Sequence, residues 1–189
     1  LAFRYFVENG GPSGTRSNYI GVDSFSVCRN SLKSSTTCKY IEGYDTVVPQ
    51  DWIATNLSNP LGTTNWFQGE SAVFPAQSGA LTSYAAANYN NTAAVGTISN
   101  WLLTPEIVFS ENDQIKFYTR TTPGSSWPDR LEVRLSTNLN SEFPGTDANS
   151  VGDFTTLLLA INPTLVVGGY PTEWTEYTIT LTGLGNYKH

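Results

Sequence analysis

Apolar and polar side chains alternate with a period of two along most of this chain, and that alternation limits what it can fold into. The run "DQIKFYTRTT" (113–122) puts Ile115, Phe117 and Thr119 on one face and Lys116, Tyr118 and Arg120 on the other. "DRLEVRLST" (129–137) turns Leu131, Val133 and Leu135 inward and Arg130, Glu132 and Arg134 outward. "AFRYFVE" (2–8), "YIGVDSFSV" (19–27) and "FTTLLLAI" (154–161) also read as strands, and "KYIEGYDTV" (39–47) does so less cleanly. "WTEYTITLTGL" (174–184) carries a slip near Glu176 that suggests a bulge, and "NWLLTPEIVF" (100–109) is broken at Pro105. Helical spacing is scarce; "SGALTSYAAANY" (78–89) is the one stretch with enough helix formers for a short helix or turn. Strands separated by Gly, Pro and Asn turns over one domain-sized chain predict an all-β, antiparallel sandwich of jelly-roll type.

The chain divides into three parts. Residues 1–27 read as two strands joined by the turn "GGPSG" (10–14), a closing β-hairpin in which glycine supplies positive φ. Residues 28–38, "CRNSLKSSTTC", are polar and bracketed by Cys28 and Cys38; they read as a linker clipped by a disulfide. Residues 39–189 form the sandwich body. A disulfide places the chain in an oxidising compartment. The absence of Met puts the initiator outside this sequence, the expectation for a processed, exported protein.

Several function classes have little footing. The net charge is −6, which disfavours nucleic-acid partners that need clustered Lys and Arg. No apolar run approaches the ~18–20 residues of a membrane helix. The only histidine is His189, so a Cys/His metal site and a histidine base are both excluded. No Gly-x-Ser-x-Gly elbow occurs, and no carboxylate pair is marked by local pattern. A non-enzymatic chain is the expectation.

From about residue 40 onward the sequence resembles the bacterial choice-of-anchor J domain, which is related to the cleaved-adhesin domains. The stretches that carry the resemblance are "IEGYDTVVPQDWIATNLSNPLGTTNWFQG" (41–69), "GTISNWLLTPEI" (96–107), "IKFYTRTTPGSSWPDRLEVRLST" (115–137), "VGDFTTLLLAINP" (151–163) and "GGYPTEWTEYTITLTGL" (168–184). In that family a further block follows, an aromatic-rich strand, a Gly-Gly-Pro-Ser-Gly turn and a last strand with an aspartate. Here that block is "LAFRYFVENGGPSGTRSNYIGVDSFSV" and stands first, at 1–27. The resemblance implies a secreted jelly roll held at the cell surface, without an established catalytic activity.

The altered order leaves three readings. The chain is a circular permutant whose residues 1–27 fold back in cis, across a linker that reaches at most ~35 Å at ~3.3 Å per residue. Alternatively, residues 1–27 insert into a neighbouring subunit, with Phe3, Tyr5, Val7, Tyr19, Ile20, Val22, Phe25 and Val27 at the subunit interface. In the third, the chain is one period of a tandem array.

The resemblance also implies a calcium site where first and last strands meet, with Glu42 and Asp45 on the first and Asp23 on the last as candidate ligands. Trp66, Trp127 and Trp174 are flanked by polar residues and are candidates for stacking on glycans. The functional expectation is a secreted surface structural or adhesion subunit that forms head-to-tail filaments by hairpin donation. The alternative is a monomeric carbohydrate-binding module.

Overall fold

The computed structural model describes residues 1–30, 36–136, 138 and 141–183. Its strands are β1 (Ala2–Gly10), β2 (Tyr19–Asn30), β3 (Thr36–Glu42), β4 (Ile53–Asn56), β5 (Asn59–Leu61), β6 (Phe67–Gln68), β7 (Ala85–Asn88), β8 (Thr92–Leu103), β9 (Asp113–Thr121), β10 (Leu131–Leu135), β11 (Thr156–Ile161) and β12 (Thr175–Thr180). They form two antiparallel sheets, as the alternation predicts. One runs β11-β10-β1-β8-β4 with β5 beside β8; the other runs β12-β9-β2-β7-β6 with β3 beside β2.

The core lies between the sheets. Phe3, Tyr5 and Val7 project into it from β1, and Ile20, Val22, Phe25 and Val27 from β2. The inward set on β2 changes parity after Val22. A bulge between Asp23 and Ser26, with Ser24 at φ 52°, resets the pleat so that Phe25 points inward. Phe3 then meets Phe25 and Phe117 edge-on, with ring centroids 5.6 and 5.1 Å apart.

Residues 1–27 are not a hairpin. β1 pairs with β10 and β8, whereas β2 pairs with β9, β7 and β3, so the two strands belong to opposite sheets. Both edges of each strand are already taken, which leaves neither free to pair with the other. The "GGPSG" turn is an arch across the sandwich. Gly11 sits at φ 103°, and a Cβ there would lie 2.1 Å from the Ala94 carbonyl oxygen.

Residues 28–38 are not a free linker. Cys28 to Asn30 prolong β2 and Thr36 to Cys38 begin β3, with Cys28 and Cys38 as direct register partners. The disulfide between them forms as expected. Residues 31–35 lie outside the described residues.

The stretch 78–89 makes a turn at Leu81 and Thr82, one of the two alternatives, and then enters strand β7 and not a helix: Ala85 and Ala87 fill core positions while the backbone pairs with Tyr19–Val22. A tertiary slot thus overrides alanine's helix propensity. No bulge occurs at Glu176, since β12 pairs with β9 in unbroken register from Thr175 to Thr180. Arg130, Glu132 and Arg134 face outward as the alternation predicts, but are largely covered: Arg130 bonds the Phe6 and Pro163 carbonyls and Glu8, and the loop 141–154 folds over the face at Glu132 and Arg134. Arg4 from β1 bonds Glu132 and the Ala148 carbonyl there, and Trp101 packs on Phe154. On the opposite sheet the loop 69–84 covers the outer face with Phe74 and Tyr84, packed on Tyr19 and Trp174.

Candidate functional site

Segment 1–27 is held in its slot by polar bonds as well as by packing. The buried Asp129 carboxylate accepts the Tyr5 hydroxyl (2.6 Å), the Asn18 amide N–H (2.8 Å) and the Thr121 hydroxyl (2.7 Å). Tyr5 and Asn18 flank the arch, while Thr121 and Asp129 bound the β9–β10 loop. Exclusion of water pushes the Asp129 pKa up, against the pull of its three donors. Burial likewise holds the Tyr5 phenol well above its ordinary range, and the Asp129 charge adds to that. The neighbouring Arg130 reaches Glu8 and the Phe6 carbonyl.

Arg4 is a second anchor. Its guanidinium donates to Ser99 Oγ (3.1 Å), Glu132 (3.2 Å) and the Ala148 carbonyl (2.6 Å). Burial lowers its pKa to about 10, and the Glu132 charge opposes that shift. All eight residues of the expected interface are buried within this chain's own sandwich.

The joint between segment and body is built from both sides. β2 carries Arg29, whose Nε lies 3.3 Å from the Asp113 carboxylate. β3 is tied to the body independently of β2. Lys39 donates to Asp113, Ser110 Oγ and the Val108 carbonyl, and Trp52 Nε1 donates to the Tyr40 hydroxyl at 2.7 Å. Asp113 is fully buried and receives one cation from β2 and one from β3.

No protein-family model, curated protein or solved structure matches this chain.

The acids Asp23, Glu42 and Asp45 each accept hydrogen bonds from the protein. Asp23 accepts the Gln77 and Ser78 amides on one oxygen and the Ser24 amide on the other. Glu42 accepts the Tyr44 amide, and Asp45 accepts the Ser83 hydroxyl. Among the described residues no group of three or more His, Cys, Asp or Glu is arranged to hold a metal.

The three tryptophans separate. Trp66 is buried in the main core, which removes it from any ligand surface. Trp174 packs edge-on against Phe74 and Tyr84 and donates its N–H to the Pro75 carbonyl, as a cover for the outer face of the sheet. Trp127 is half exposed, beside a cavity of about 300 Å³ that Val166, Val167 and Tyr170 also line.

Sequence reasoning missed Asn18, Arg4 and the role of Asp129. The signal for Asp129 was its place in "WPDRLEV", an acid just before a strand that turns Leu131 and Val133 inward. Two of its three partners, Asn18 and Tyr5, lie 111 and 124 positions away, so no local pattern names them.

Proposed function

We propose that this chain is a non-enzymatic, secreted subunit of structural or adhesive type that assembles by placing residues 1–27 in the body of a neighbouring copy. One observation carries the reading: a single contiguous segment supplies an interior strand to each sheet and leaves the body at one joint. Without it, gaps open between β10 and β8 and between β9 and β7. Those gaps expose unpaired backbone and apolar faces, which is costly in water. Another copy's segment satisfies them with the same bonds.

The chain between Asn30 and Thr36 spans at most about 20 Å, so exchanging bodies meet at the tips of β2 and β3. Such a contact closes as a reciprocal pair or continues as a filament, depending on the rotation between bodies. The disulfide fits secretion. No helix among the described residues is long and apolar enough to cross a membrane. The test is light scattering with size-exclusion chromatography, and negative-stain imaging, on purified chain refolded at high concentration. Oligomers or filaments that persist on dilution are expected. A strict monomer under every condition overturns the exchange.

Trp127 favours a second reading, a monomeric carbohydrate-binding module. An indole half exposed beside a walled cavity suits stacking on a sugar ring. Titration with a panel of oligosaccharides, followed by tryptophan fluorescence in wild type and Trp127→Ala, decides it. A saturable change lost in the variant supports the module, and silence across the panel removes it.

A further inference from the structure

The register of the joint has a chemical consequence for the assembly. Cys28 lies on β2, directly after the exchanged residues 1–27 and on the strand that carries them across, and Cys38 lies on β3, which stays with the body through Lys39 and Tyr40. The two are direct strand partners and their sulfurs are bonded in the closed chain. We infer that in the exchanged assembly Cys28 of each copy forms its disulfide with Cys38 of the copy that receives it, so that neighbouring subunits are covalently linked. This inference rests on the exchange proposed above.

Exchange preserves every contact between segment and body, because the slot is the same whichever copy fills it. Cys28 is fixed by the pairing of β2 with β9, where it stands opposite Gln114. Cys38 is fixed next to Lys39, which is held by Ser110, Val108 and Asp113. Each thiol is therefore placed by the body in which it sits. Only the connection between Asn30 and Thr36 determines whether the two cysteines belong to one chain.

The chemistry is ordinary thiol–disulfide exchange. The Cys28 and Cys38 thiols together give up two electrons and two protons to a disulfide oxidant, such as oxidised glutathione, which leaves as two thiols. The order of events then matters. A bridge formed in the closed chain ties the segment to its own β3 and blocks exchange at this joint. A bridge formed after exchange fixes the neighbour. Oxidation thus locks whichever partner is present when it occurs.

Two single-cysteine variants test this. Cys28→Ala keeps only Cys38, and Cys38→Ala keeps only Cys28. The two are unfolded separately, mixed, refolded together at high concentration with oxidised glutathione, and run on a non-reducing gel. The expected product is a two-chain species whose peptide map shows Cys28 of one variant joined to Cys38 of the other. As a check independent of how the variants fold, wild-type oligomers should run as a ladder without reductant and as one band with it. Oligomers in solution that run as single chains on the non-reducing gel overturn the covalent link and leave exchange standing. A strict monomer, by light scattering and on the gel, overturns both.

Discussion

The Tyr5 hydroxyl lies 2.6 Å from the Asp129 carboxylate and joins the first strand to the start of the β10 segment across 124 positions of sequence. It is a bond between the exchangeable segment and its slot, and it sits in the dry interior. Tyr5→Phe removes one donor and leaves the carboxylate with two. A buried hydrogen bond to a charged group is worth about 1.5–3 kcal/mol. Urea unfolding should show a loss of that size for Tyr5→Phe, with little change in slope.

The pH dependence of Asp129 has a definite sign. Burial raises its folded-state pKa above the unfolded value of 3.8, so the folded chain binds more protons in the window above 3.8. Its contribution is then most favourable at acid pH and declines as pH rises through the folded pKa. Asp129→Asn removes this titration. Its amide can donate to Thr121 Oγ, whose single hydroxyl proton is then given to the Tyr19 carbonyl. Denaturation midpoints of both proteins between pH 7 and pH 4 should show wild type gaining on the variant as pH falls. Parallel curves would refute the assignment.

Asn100 is a different case of a buried polar group. It points inward from β8, and neither its amide nitrogen nor its carbonyl oxygen has a partner in the structure. Asn100→Leu replaces it with an apolar side chain of similar size. Relief of an unsatisfied amide is worth about 1–3 kcal/mol, and the melting temperature should rise by several degrees. A fall in melting temperature would mean that ordered water satisfies the amide.

Gly21 on β2 faces the aromatic cover of its sheet. A Cβ there would stand 2.8 Å from Trp174, 2.9 Å from Tyr84 and 3.0 Å from Phe74. These are ring atoms packed on one another, so none yields without moving the rest. Gly21→Ala should destabilise the chain by about 1–3 kcal/mol. It should also shift tryptophan emission as Trp174 is displaced. An unchanged emission maximum together with full stability would show the cover to be loosely packed.

The inward faces of β9 and β10 were legible because alternation over Ile115–Thr119 and Leu131–Leu135 runs without interruption. β2 was legible only in part, since the bulge at Ser24 changes parity in mid-strand. β4, β5 and β6 went unseen because two to four residues give too little periodicity to register. Of the candidate site residues, the disulfide could be read from spacing and inventory. The fate of Trp66, Trp127 and Trp174 could not, since all three have polar neighbours in sequence and only the fold decides which is covered.

By itself the sequence determined a two-layer antiparallel β fold and a disulfide at the boundary between an N-terminal segment and the rest. Both follow from local chemistry, side-chain alternation in the first case and two cysteines close in the chain in the second. Only the tertiary structure decided that β1 and β2 lie in opposite sheets, and that Cys28 and Cys38 face each other across a strand pair. Strand pairing is a relation between distant backbones, and a glycine-rich turn serves a hairpin and an arch equally well. The sheets chose the arch because both edges of each strand were already taken by the body.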